Sequence, residues 1–186
     1  KTIQKVQKSG IKHFGENFLQ EAESKIINLY PSPVWHFIGT IQSRKAKKIS
    51  SLFNWVHTVD RLKVAEKLDK NRNKEQGKLN ICVQVNLEKE TTKSGIPLEG
   101  CEIFISDLKK LTRLNVRGLM AIPKPTNNFE QQRRVFARIR SYFERLKLTY
   151  PQLDTLSIGM SGDYRAAILE GATMLRIGTA VFGERK

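Results

Sequence analysis

The chain has 186 residues, 39% of them hydrophobic, with two Cys and a formal charge of +15 from 33 Lys and Arg against 18 Asp and Glu. That length suits one domain spanning residues 1–186 with an ample core. No apolar run approaches the ~20 residues of a membrane span, no signal peptide is visible, and Cys82 and Cys101 form neither a disulfide framework nor a metal site, so a reduced, cytoplasmic compartment fits best.

In chain order, apolar runs and helical periodicities predict a helix at 3–8, a strand near His13-Phe14, a helix at 18–29 and a strand at 34–39. A basic helix at 41–52, a strand at 55–59, a helix at 61–73 and a strand at 79–86 come next. A helix at 98–111, a strand at 116–122 and a long helix at 129–148 precede two last strands, at 155–159 and 174–178, with a short helix between them. Short strands alternating with helices indicate parallel βαβ units. Seven strands are one short of an eight-fold β/α barrel, and the chain opens inside a helix, so the first βα unit is expected to be missing.

The run from Leu156 to Gly183 carries the clearest functional signal. A strand ends in Ser161-Gly162, Asp163 is placed to cap the following helix, Gly171 stops it, and the next strand ends in Gly178-Thr179. Two consecutive strand ends closed by small residues bring backbone N–H groups and two hydroxyls towards one spot, as a phosphate requires. In a β/α barrel the loops after the last two strands are the habitual phosphate site. The same glycines would equally serve tight βα turns. The positive charge invites a nucleic-acid reading, but it is spread over nearly every predicted helix, densest at Arg44-Lys45-Ala-Lys47-Lys48. With no exposed aromatic run for base stacking, it reads as solvated helix face.

Several segments carry a resemblance. Phe14-Gly-Glu-Asn17, Trp35-His-Phe-Ile-Gly-Thr-Ile-Gln42-Ser-Arg-Lys45, His57-Thr-Val-Asp60-Arg61 and Lys93-Ser-Gly-Ile96 occur in that order. Arg117-Gly-Leu-Met-Ala-Ile-Pro123, Gly159-Met-Ser-Gly-Asp163 and Arg176-Ile-Gly-Thr179-Ala-Val-Phe-Gly183 follow. Together they are similar to the pyridoxal phosphate homeostasis proteins (the YggS/PROSC family) over essentially the whole chain. The resemblance implies a TIM-like (β/α)8 barrel of the alanine-racemase N-terminal-domain type. It also implies pyridoxal 5'-phosphate as cofactor, a role in intracellular vitamin B6 and amino-acid homeostasis without established turnover, a monomer, and pyridoxal phosphate-dependent apoenzymes as partners.

Carried onto this sequence, the resemblance implies that Ser161, Gly162, Gly178 and Thr179 hold the phosphate and that Arg176 faces the pyridine nitrogen. Asn17 lies within reach of the cofactor, or caps the helix that follows it. His36 alternates with Trp35 and Phe37 and so points into the barrel, as a ligand contact or as a satisfied core histidine. Met120 and Ile122 fill barrel layers or flank the ring. Gln42, Arg44 and Lys45 attract anions or form a solvated face, and the Lys93–Ile96 loop lies at the rim of the mouth. No catalytic residue is assigned. The Schiff-base lysine of the family is expected a few residues before Lys1, and Lys1-Thr2 would replace it only in a shortened loop. An amino-acid racemase-like enzyme and a basic polyanion or RNA binder remain as the other function classes.

Overall fold

The computed structural model describes residues 2–88 and 94–184. Its frame is one parallel sheet in sequence order, made of β1 (His13–Glu16), β2 (Val34–Phe37), β3 (Trp55–Val59), β4 (Leu79–Val85), β5 (Leu114–Ala121), β6 (Thr155–Met160) and β7 (Met174–Arg176). Helices α1 (Thr2–Lys8), α2 (Leu19–Asn28), α3 (Ala46–Leu52), α4 (Leu62–Asn71), α5 (Cys101–Leu108), α6 (Phe129–Thr149), α7 (Tyr164–Leu169) and α8 (Thr179–Phe182) alternate with these strands.

Strand alternation sorts the apolar residues into two cores. Outward-facing Trp35, Phe37, Val56, Ile81, Val83, Leu119, Leu156 and Ile158 pack beneath the helices, against Ile49, Leu68, Ile105, Phe136, Ile139 and Phe143. Inward-facing Trp55, Cys82 and Met120 form a smaller cluster with Val34 and Met174. The sheet is strongly curled. In a flat sheet β3 and β6, three strands apart, would be separated by roughly 14 Å. Yet His57 Nδ1 of β3 lies 2.9 Å from Ser157 Oγ of β6, across the interior. This is the barrel expected from the pattern, with seven strands among the described residues.

A bulge shapes its floor. Ile81 pairs with Val116 but Cys82 with Gly118, leaving Arg117 as the extra residue of β5. Arg117 lies over the Trp55 ring at 4.7 Å, and its Nε donates to Asp154 Oδ1 at 2.9 Å.

Local chemistry moved several boundaries. The basic stretch divides into a 3-10 turn, Ser43–Lys45, followed by α3, and the segment after Pro97 divides likewise into Leu98–Gly100 and α5. Asp163 stands at the N-cap of α7 without capping it, because its Oδ1 accepts the Met160 N–H at 2.6 Å instead. The N-cap of α2 falls on Phe18, so Asn17 does not cap that helix. The last strand ends at Arg176, and Thr179 opens a one-turn helix that the sequence pattern did not announce.

Arg72 clamps α3, α4 and the turn beyond them. It is 4% exposed, and its guanidinium donates to the carbonyls of Ser50 (2.5 Å), Phe53 (2.9 Å), Gly77 (2.9 Å) and Gln76 (3.1 Å). A buried carbonyl left without a donor costs about 1–3 kcal/mol. Arg72→Leu is therefore expected to lower unfolding stability by about 3 kcal/mol in a urea titration, and a loss below about 1 kcal/mol would contradict the clamp.

Candidate functional site

The C-terminal ends of β6 and β7 meet at the mouth of the barrel. Met160 pairs with Arg176 in the parallel register, so the residues that follow each strand lie side by side. Ser161 Oγ accepts the backbone N–H groups of Gly178 (3.3 Å) and Ala180 (3.2 Å). One oxygen thus sits where two amides converge. Around it a Cβ added to Gly162 or Gly178 would meet nothing within 4 Å, leaving open space on both loops. Behind the loops the packing is tight. Gly159 has φ +89°, and a Cβ there would lie 2.6 Å from that of Ala167, so only glycine lets α7 sit this close to β6.

Helix α6 anchors these loops from outside the barrel. Its buried Gln132 donates to the carbonyls of Thr126 (2.7 Å) and Gly162 (3.3 Å). Arg133 and Arg140 of the same helix pair at 2.9 and 3.3 Å with Glu170, which is buried where α7 ends.

Arg176 closes the bottom of the mouth. Its Nη1 donates to Ser157 O (2.7 Å) and Ser157 Oγ (2.6 Å), and its Nη2 to Ala121 O (3.0 Å). Burial lowers its pKa to about 10, opposed by the acidic groups of Cys82 and Asp163, so the side chain stays a cation at neutral pH. Burial also pushes the Cys82 thiol up to about 12, although Arg176 and Arg117 pull it the other way.

Inside the barrel the histidines form a line. His13 Nδ1 lies 2.9 Å from His36 Nε2, and His36 Nδ1 lies 2.8 Å from His57 Nε2. His36 also stacks on Trp55 at 5.3 Å. Its pKa is lowered to about 3, by burial first and then by the His13 charge. His57 is also lowered well below its usual value, by burial, by His36 and by Arg176.

The structure therefore brings Ser161, Gly162, Arg176, Gly178 and Thr179 to one mouth, with Asn17 exposed after β1 at the same end of the sheet. A Cβ on Gly39 would run into the Asn17 carbonyl, so the ends of β1 and β2 also meet closely. His36 points into the barrel but lies below the rim, with both ring nitrogens turned to other histidines. Met120 is fully buried in the inner cluster and Ile122 is 41% exposed. Gln42 and Arg44 bond each other at 3.3 Å, and Lys45 reaches Gln20 at 3.4 Å. Gly95 N donates to Asp60 Oδ2 at 3.2 Å, holding the 94–97 segment beside β4. Lys93 and Lys1 lie outside the described residues. The sequence reading gave no role to His13, His57 or Ser157. The signal available was alternation, since His57 shares the inward parity of Trp55 and His13 precedes the outward Phe14 by one residue.

Comparison with known proteins agrees with this fold. Residues 1–186 match the family described as alanine racemase, N-terminal domain. A pyridoxal phosphate homeostasis protein of Pseudomonas aeruginosa is 48% identical over 184 residues, covering 98% of this chain and 79% of that protein. PipY of Synechococcus elongatus, solved without PLP, superposes with a TM-score of 0.90 at 35% identity, over 98% of this chain and 86% of that one. The PipY structure with PLP bound gives 0.88 at 34% identity, over 97% and 86% of the two chains. The chain belongs, within the class of alanine racemase N-terminal-domain barrels, to the family of pyridoxal phosphate homeostasis proteins.

The buried histidines set an acid limit on the fold. His36 and His57 have folded pKa values below the unfolded value of about 6.5, so the unfolded chain takes up more protons as the pH falls. Their stabilising effect is complete above that value and is lost from about 6.5 down towards about 3, the folded value of His36. Histidine is the side chain that titrates between pH 7.5 and 5.5. Over that step urea unfolding should show a loss of about 2–3 kcal/mol, and a flat profile would contradict two buried neutral imidazoles.

Proposed function

We propose that this chain binds pyridoxal 5'-phosphate at the β6–β7 mouth and serves the balance of intracellular vitamin B6 and amino-acid pools rather than catalytic turnover. The observation that carries this reading is the convergence of the Gly178 and Ala180 amides on one oxygen beside Arg176. A phosphate oxygen is the stronger acceptor for such a pair, and Ser161, Gly162 and Thr179 leave it room and hydroxyl partners. The cofactor supplies an aldehyde reactive towards amines and a pyridine ring that withdraws electrons.

The protein groups do the rest. Three of the five guanidinium N–H donors of Arg176 are engaged by Ser157 and Ala121, and the remaining edge suits a ring nitrogen. A donor that does not give up its proton keeps that nitrogen unprotonated, which weakens the ring as an electron sink. Restraint of that kind suits a carrier. His36 serves the same site from below, through the histidine line, and Asn17 borders it from the end of β1. The protein acts as a cytoplasmic monomer that hands cofactor to pyridoxal phosphate-dependent apoenzymes. Among the described residues no helix is long and apolar enough to cross a membrane.

The test is calorimetric titration with pyridoxal phosphate. Replacing Ser161 by Ala and Thr179 by Val together should weaken binding by about 2–4 kcal/mol, through loss of charge-assisted hydrogen bonds. Equal affinities for the two proteins would remove the assignment, and racemisation of alanine by the wild type would move the chain to the enzyme class.

A further inference from the structure

The chain has three histidines, and all three stand in one hydrogen-bonded line. The line starts at exposed His13 on β1, passes through His36 (3% exposed) on β2 and His57 (1%) on β3, and crosses the barrel to Ser157 on β6. It ends on Arg176 Nη1, 2.6 Å from Ser157 Oγ.

The chemistry of its last member dictates the direction of every bond in it. A guanidinium has donors only, so Ser157 Oγ accepts from Arg176. That oxygen could accept a second time, but Ser157 is fully buried and its own hydrogen must find an acceptor. Among the described residues the other partner of Oγ is His57 Nδ1, which takes it. A neutral imidazole that accepts at Nδ1 donates at Nε2. His57 Nε2–H then donates to His36 Nδ1, His36 Nε2–H donates to His13 Nδ1, and His13 Nε2–H is left to solvent. The count closes, with three acceptors used and the buried His36 and His57 rings neutral.

We propose that Ser157, His57, His36 and His13 are positioning residues for Arg176, forming a one-way hydrogen-bond line that anchors Nη1 to β6 and turns the remaining guanidinium edge to the mouth. An extra proton on any imidazole would oppose a donor already in place, so the line also keeps a second cation away from Arg176. The other charged or ionisable groups facing this interior fit that picture. Arg117 of β5 is paired with Asp154, and Cys82 of β4 is uncharged at neutral pH. What the oriented edge contacts rests on the pyridoxal phosphate reading; the direction of the line does not.

Two measurements test it. Two-bond 1H–15N correlation spectra of the 15N-labelled protein without ligand, at neutral pH, should show His36 and His57 each as a single Nε2–H tautomer. Ser157→Ala should leave His57 as a tautomer mixture, whereas Ser157→Thr, which keeps the hydroxyl, should restore the single form. Arg176→Met should free the line to reverse, and Arg176→Lys, still a donor, should hold it. An Nδ1–H tautomer at His57 in the wild type, or spectra unmoved by Ser157→Ala, would overturn the proposal. Pyridoxal phosphate affinity is the second readout, where Ser157→Ala should bind about tenfold more weakly than both wild type and Ser157→Thr, a step of about 1.4 kcal/mol. Equal affinity of Ser157→Ala and wild type would refute positioning. A wild type that binds no pyridoxal phosphate would refute the functional reading instead, while the spectra would still decide the direction of the line.

Discussion

A guanidinium drawn into a barrel must find acceptors on every side it presents to protein, because its charge and its donors persist at any physiological pH. Arg176 finds them on two strands, in the carbonyl and hydroxyl of Ser157 on β6 and the carbonyl of Ala121 on β5. Those contacts require the sheet to curl until β7 can reach β5, and the same curl brings β3 against β6. They also require a neutral surrounding. Two buried imidazoles, His36 and His57, held uncharged and a protonated thiol provide it, while Arg117, another cation facing the interior, is paired at the floor with Asp154. The mouth, the histidine line and the polar floor are therefore parts of one electrostatic arrangement.

The loops at the mouth gain order from residues that never touch it. Gln132 grips the Gly162 carbonyl, and Glu170 is held between two arginines of the same helix. A buried carboxylate shared by two partially exposed guanidinium groups fixes the end of α7 better than one surface pair would. Pre-ordered loops lose less conformational entropy when an anion arrives, which is where a small ligand gains affinity. The 21-residue α6, with Phe136, Ile139, Phe143 and Leu146 buried at helical spacing, supplies the rigid rod behind that order.

Strands were legible where β-branched and aromatic residues cluster, as at Trp55–Val59, whose limits the sequence placed correctly. The Ser161-Gly162 turn was legible because small residues at a strand end favour a tight turn. What escaped was non-local or too short for a period. His57 and Ser157 are 100 positions apart, and no window along the chain relates them. The four residues of α8 complete one turn, too little to show a periodicity. Asp163 had the right residue type for a cap, but a closer amide, that of Met160, took its carboxylate first. Arg72 looked like one more surface cation until its carbonyl partners came together from two separate segments, the end of α3 and the turn before β4.

The two tryptophans stand on opposite faces of the same curved sheet. Trp35 lies in the outer core with its indole N–H buried and unpartnered, whereas Trp55 lies inside between the stacked His36 ring and the Arg117 cation. Indole emission responds to the polarity and charge within a few ångströms of the ring, so the two fluoresce from different surroundings. Exchanging either one for Phe would leave the other as a single optical probe, Trp35 for the helix layer and Trp55 for the barrel interior. The fold thus carries its own pair of lamps, one on each side of the wall that separates scaffold from site.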